Sequence, residues 1–326
     1  MSENTVEIVN SYDNTEELSQ KFPVVNPTAI TNEMGRKIQN RLLSGFENWN
    51  RGFDAWKAWG DILYVPESIY NVHGARLTLA QYQTAMNIVL KRTRIDMGRF
   101  RNMIIRDNWT AIHYDIFTHV GDQVIPGSVM EFVNFKDFGP ELGVRVDEGW
   151  GGPRDSSYQG MAMFQGDAER EHQKKGFDAL LAYEIPQTDD LKAKYPVKNP
   201  TSDDSPWAEE MRMAILQDFD AWNQGMDAWQ KNVDTIYAKD ACIVLSNGAH
   251  LTPAAYKAEM AKQAESAQVC KKYFDSMLIS GEWIAIHYNI VTTDCKTGEK
   301  TPGDMMQFFR FVKDENGFRV TENWIK

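Results

Sequence analysis

Trp49-Asn50-Arg51-Gly52-Phe53-Asp54-Ala55-Trp56 returns in the same chain as Trp222-Asn223-Gln224-Gly225-Met226-Asp227-Ala228-Trp229. The match extends outward in both directions. Upstream, Lys21-Phe22-Pro23-Val24 and Asn26-Pro27-Thr28 return as Lys194-Tyr195-Pro196-Val197 and Asn199-Pro200-Thr201. Downstream, Trp109-x-Ala111-Ile112-His113-Tyr114 returns as Trp283-x-Ala285-Ile286-His287-Tyr288, and Glu148-x-Trp150 as Glu322-x-Trp324. The offset is 173 at the start (194 − 21) and 174 at the end (322 − 148), so a single residue of net insertion separates the copies. The chain is one fold written twice. Its period is far too long for a solenoid, which stacks repeats of about 20–50 residues, and two globular domains are expected. The copies cover 21–150 and 194–326, preceded by an N-terminal extension (1–20) and separated by 151–193, a stretch without counterpart that reads as a linker or as a flap over a neighbouring pocket.

Composition agrees. At 326 residues, 42% hydrophobic and 12% aromatic, the chain has enough apolar surface for two cores. A net charge of −11 without a lysine or arginine run argues against nucleic acid and against an anionic membrane surface, both of which need clustered positive charge. No apolar run approaches 18 residues and the start, Met1-Ser2-Glu3-Asn4-Thr5, lacks the pattern of a secretion signal, so the expected location is the cytoplasm. Cys242, Cys270 and Cys295 all fall in the second copy, which leaves no shared disulfide or metal framework. Phosphate loops, nucleophile elbows and dinucleotide fingerprints are missing too, so neither a metal nor a cofactor is expected.

Within one copy, Phe46, Trp49, Phe53 and Trp56 form one apolar stripe at helical spacing, which predicts a helix from about Asn32 to Leu63; Phe219, Trp222, Met226 and Trp229 repeat it. A second helix is predicted to open at an N-cap threonine, Thr78 or Thr252. The period then changes to two. Met103–Thr118, Val129–Phe135 and Val144–Trp150, with Met277–Thr292, Met305–Val312 and Phe318–Trp324 in the second copy, are rich in aromatic and β-branched residues and read as antiparallel strands. Between the copies, Ala168–Tyr183 reads as a helix. Helices followed by a curled antiparallel sheet make an α+β unit.

This order of elements, with the closing pattern Arg145-Val146-x-Glu148-x-Trp150 and Arg319-Val320-x-Glu322-x-Trp324, resembles the SnoaL-like branch of the NTF2-like superfamily. The resemblance covers nearly all of both copies. It implies two tandem cone-shaped α+β barrels, each with an apolar pocket, and an internal pseudo-dimer, with further homo-oligomerisation left open. Members include ketosteroid isomerase, scytalone dehydratase and polyketide cyclases as well as non-catalytic binding proteins, so the fold does not fix the activity.

His113 and His287 sit at a strand position similar to the strand histidine of scytalone dehydratase, where a group titrating near pH 6.5 moves protons; a core histidine bonded to a neighbour is the other reading. The resemblance also implies an acid on the first helix, and Asp54 and Asp227 are its nearest matches. On a continuous helix Asn50, Asp54 and Asp61 would share one polar ridge, as would Asn223, Asp227 and Asp234, which equally describes a solvated helix edge. Asp115, on the strand face of His113, becomes Asn289, and Glu131 becomes Gln307, so the first copy keeps ionisable acids that the second has lost. Trp49, Trp56, Tyr64, Tyr82 and Glu131 are the candidate lining for a flat or ring-containing ligand. The sequence therefore points to a cofactor-independent lyase, dehydratase or isomerase acting on a small apolar, aromatic or polycyclic compound, with Tyr64 or Tyr114 polarising an oxygen. A pocket that binds without turnover is the alternative.

Overall fold

The computed structural model describes residues 6, 8, 15–27, 30, 32–152, 160–315 and 317–326. Most of the N-terminal extension, Thr28 of the opening motif and 153–159 of the inter-copy stretch lie outside the described residues. The chain divides into two compact units, 1–170 and 171–326.

Unit 1 runs α1 (Thr15–Lys21), β1 (Val24–Pro27), α2 (Glu33–Asn50), α3 (Phe53–Leu63), β2 (Tyr64–Val72), β3 (Ala75–Thr78), α4 (Leu79–Leu90), β4 (Arg94–Arg106), β5 (Trp109–Val120), β6 (Gln123–Asp137) and β7 (Val144–Gly151). A 3-10 turn (Ala162–Phe164) follows, and the unit boundary falls within α5 (Asp167–Ala182), the helix expected there. Unit 2 continues with α6 (Leu191–Lys194), β8 (Val197–Pro200), α7 (Ala208–Gln224), α8 (Met226–Ile236), β9 (Tyr237–Val244), β10 (His250–Leu251), α9 (Pro253–Ala264), β11 (Ala267–Ser280), β12 (Trp283–Asp294), β13 (Lys300–Asp314) and β14 (Gly317–Ile325).

The sheet orders are β1-β4-β5-β6-β7-β2-β3 and β10-β9-β14-β13-β12-β11-β8, which are the same order read from opposite edges. The α+β class and the duplication are thus present in the backbone. Each sheet is open, ending in a short strand at either edge.

Three expectations on the elements need correcting. The single helix from Asn32 to Leu63 is two helices, broken at Arg51-Gly52. Gly52 has φ 108° and its counterpart Gly225 has φ 121°, a region that a residue with a Cβ rarely enters, which is why the glycine recurs. The stretch Met103–Thr118 is two arms of a hairpin turning at Asp107, whose φ is 53°. The strand Tyr64–Val72, not anticipated, pairs in parallel with β7. Both expected N-caps are present: Thr78 forms a capping box with Gln81, and the Thr252 hydroxyl accepts from the Ala255 N–H.

The recurring Trp-Asn-x-Gly motif joins helix to sheet. At the end of α2, Trp49 Nε1 donates to the Ile95 carbonyl (2.7 Å), while the Asn50 amide donates to the Met97 carbonyl (3.1 Å) and accepts from the Met97 N–H (2.7 Å). Ile95 and Met97 stand just before the point where the register of β4 shifts against β5, so the motif fixes the helix end beside that irregularity. Trp222 on Val269 and Asn223 on Lys271 repeat the arrangement. Asn50 therefore ties the end of one helix to the sheet while Asp54 opens the next, and the ridge read across them does not form.

Candidate functional site

The helices of unit 1 and the inner face of its sheet enclose a cavity of about 270 Å³. Its walls are largely aromatic. Trp49 meets Trp56 edge to face (centroids 5.1 Å apart, 78°), Trp56 meets Tyr82 in the same way (5.5 Å, 84°), and Tyr82 lies 4.7 Å from Tyr70. Edge-to-face contacts of this kind satisfy the ring quadrupoles and keep the walls stiff. Trp59 approaches α2 closely, with its indole N–H on the Ser44 hydroxyl (3.0 Å).

Glu131 is the one aspartate or glutamate among the described residues lining this cavity. It faces inward from β6, and the Tyr114 hydroxyl on β5 donates to its Oε1 at 2.6 Å. The Tyr70 hydroxyl lies close enough to lower its proton affinity as well. Tyr70 reaches that position by lying across β7 where the strand has no side chains: a Cβ on Gly149 would sit 2.6 Å from the Tyr70 ring, and one on Gly151 would sit 2.6 Å from its hydroxyl. Burial pushes the Glu131 carboxyl above its ordinary range, against the two tyrosine hydroxyls, which pull it down. Burial, reinforced by Glu131, raises Tyr64, Tyr70, Tyr82 and Tyr114, so their hydroxyls stay protonated donors at neutral pH. The site thus holds a carboxyl poised to change protonation nearer to neutrality and several O–H donors in an apolar enclosure.

Trp49, Trp56, Tyr64, Tyr82 and Glu131 all line the cavity. The remaining candidates lie elsewhere. Ile112, Tyr114 and Ile116 of β5 line it, so by strand alternation His113 and Asp115 point to the opposite face of the sheet. His113, the candidate for proton transfer, therefore does not line the aromatic cavity, and it shares its strand face with Asp115. Asp115 is ion-paired with Arg101 (2.5 Å) and Arg99 (3.1 Å). His287 occupies the same face in unit 2, with Nε2 2.7 Å from Asp304 Oδ2. Asp54 and Asp227 are exposed in the first turns of α3 and α8, where a carboxylate complements the helix dipole, and neither lines the aromatic cavity or its counterpart in unit 2.

Tyr70 and Met161 are among the contributors that escaped the sequence reading. Tyr70 lies on the strand that was not anticipated, and the glycines opposite it were its only trace. Met161, from the stretch without counterpart in the second copy, is buried and lines the cavity.

Unit 2 encloses a cavity of about 580 Å³ lined by Trp222, Tyr256, Tyr288, Lys271 and Gln307 among others, with no aspartate or glutamate in its described lining. Among the described residues no helix is long and apolar enough to cross a membrane.

No family model matches the chain. No curated protein matches it either. Solved structures do. A ketosteroid isomerase-like protein from Erwinia carotovora atroseptica SCRI1043 is 14% identical, covering 37% of this chain and 95% of its own, with a TM-score of 0.31. ActVI-ORFA from Streptomyces coelicolor is 16% identical, covering 36% and 96%, with a TM-score of 0.29. A protein assigned as a SnoaL-like polyketide cyclase from Jannaschia sp. CCS1 is 14% identical, covering 38% and 90%, with a TM-score of 0.31. Each match spans little more than a third of this chain and nearly all of its own. At these identities the likeness is one of fold alone.

Proposed function

We propose that unit 1 is a cofactor-independent proton-transfer enzyme of the isomerase, dehydratase or lyase kind, acting on a small apolar ring compound that carries a carbonyl. The observation that carries this reading is the lone Glu131 carboxyl, raised by burial and bracketed by tyrosine hydroxyls, in an aromatic cavity. Ionised Glu131 takes a proton from the carbon next to the carbonyl, and the electron pair moves onto oxygen as an enolate. A tyrosine O–H, held protonated, donates to that oxygen, where the charge develops. Where the enolate is conjugated with a second double bond, Glu131 then returns the proton to its far carbon, giving an isomer; where the next carbon carries a hydroxyl, the electron pair expels hydroxide, which takes the proton, giving water and an unsaturated product. Burial raises the energy of the ionised carboxylate and makes it a stronger base than a solvated one.

A site that binds without turnover is the second reading, favoured by the engagement of Glu131 with Tyr114 and Tyr70, which satisfies the carboxyl without a ligand. Incubating a panel of small cyclic ketones with the protein in D2O and following exchange at the carbon next to the carbonyl by NMR separates the two. Glu131→Gln should lower exchange by on the order of 10²-fold or more, while ligand quenching of tryptophan fluorescence persists. His113→Gln should leave exchange near that of the wild type. Binding by the wild type with no exchange for any ketone would support the second reading.

A further inference from the structure

The interiors of the two units differ at a pair of positions that the repeat aligns. At the register set by Trp49 and Trp222, Gly45 of α2 corresponds to Asp218 of α7; at the register of Phe100 and Phe274, Met97 of β4 corresponds to Lys271 of β11. Lys271 Nζ and Asp218 Oδ2 form an ion pair at 2.8 Å with both side chains about nine-tenths buried (9% and 10% exposed). Burying such a pair is costly, because desolvation consumes most of the attraction, and apolar replacements of similar volume are commonly as stable. Unit 1 builds the same fold with Gly45 and Met97, so the fold does not require the pair.

The two charges are not equivalent. Asp218 is held from behind by the Trp229 indole N–H (3.0 Å) and the Asn232 amide (3.4 Å), and it does not line the unit 2 cavity. Lys271 does line it, with its ammonium 4.6 Å from the Phe219 ring centroid and 4.9 Å from that of Trp222. The cavity therefore presents a cationic donor flanked by aromatic faces and no carboxylate, because Gln307 stands where unit 1 has Glu131.

We propose that the unit 2 cavity is a second ligand site, which binds a neutral apolar compound through a carbonyl-type acceptor oxygen on Lys271 Nζ, with its rings against Trp222. The adjacent Asp218 offsets the ammonium charge and would repel a second carboxylate beside it, so a neutral acceptor is preferred. With Gln307 unable to take a proton, this site binds without transferring one. The proposal concerns a different cavity from the catalytic reading of unit 1 and stands independently of it.

The full chain, carrying [13C]methyl methionine, is titrated with 1-acetylnaphthalene, 1-methylnaphthalene and 1-naphthoate and followed by NMR. Met226, Met260 and Met305 report the unit 2 cavity and Met86, Met97 and Met161 the unit 1 cavity, with resonances assigned by single Met→Leu changes. The expected result is that 1-acetylnaphthalene shifts the unit 2 methionines and binds there about tenfold more tightly than 1-methylnaphthalene, the scale of one hydrogen bond to a charged donor. The double variant Lys271→Met/Asp218→Asn, which removes both charges and keeps an acceptor for Trp229, should bind the two compounds alike, with the unit 1 methionine signals unchanged. Equal affinity of ketone and hydrocarbon in the wild type overturns the proposal without any variant. A preference that survives the double variant overturns it too, as does tighter binding of 1-naphthoate. Shifts confined to Met86, Met97 and Met161 would overturn it while leaving the reading of unit 1 untouched.

Discussion

At the scale of the residue, Glu131 is the group on which the proposed reaction of unit 1 turns, and its raised proton affinity has a consequence for stability. Below its ordinary value near 4.5 the group is neutral in both the folded and the unfolded chain, so pH does not separate wild type from Glu131→Gln. As pH rises past that value the unfolded chain ionises first, and wild type loses stability relative to the variant until pH passes the folded-state value. The difference in urea-unfolding free energy between the two proteins should therefore move against wild type from about pH 4.5 upward, with a slope of at most about 1.4 kcal/mol per pH unit. A difference that stays flat between pH 4 and 8 would show that burial does not raise Glu131. The Tyr114 bond tempers the effect: at 2.6 Å it has the length of a charge-assisted O–H···O bond and favours the ionised form.

At the scale of the element, the site depends on two irregular strands. The break in β4 lies beside the helix end that Trp49 and Asn50 fix, and β7 leaves out side chains so that Tyr70 can cross it. Gly149→Ala places a methyl 2.6 Å from the Tyr70 ring, closer than packed atoms tolerate, so either the ring or the strand must shift. Overpacking of this kind costs about 1–3 kcal/mol, readable as a lower urea midpoint at unchanged m-value. The displaced hydroxyl should also cease to lower the proton affinity of Glu131 and so raise the apparent pKa of the exchange reaction. Unchanged stability together with an unchanged pH profile would mean that Tyr70 is not needed where it lies. Gln307 faces no such constraint, since Tyr288 of unit 2 bonds the Met305 sulfur in place of an acid (3.4 Å).

At the scale of the whole molecule, the two units have kept one topology and parted in their interiors. Unit 1 holds a carboxyl among tyrosines; unit 2 holds a lysine–aspartate pair and an amide. The expected consequence is asymmetry of activity. Gln307→Ala should leave the D2O exchange rate near that of wild type under conditions where Glu131→Gln removes it, and equal losses from the two substitutions would show that both cavities react.

The sequence by itself determined the duplication, the α+β class, the passage from helical to alternating periodicity, the threonine caps and the aromatic lining with Glu131. These are local or repeat-encoded signals: spacing along one helix, a cap within one turn, identity between two copies. Tertiary structure alone decided which face of β5 lines the cavity. That strand is buried without a break from Trp109 to Asp115, so polarity does not alternate along it, and whether Tyr114 or His113 turns inward depends on which face the helices cover. It also decided that Asn50 and Asp54 lie on separate helices, because a glycine's φ is set by the packing it permits. Lys271 meets Asp218 across 53 residues of sequence, and only the fold brings them together.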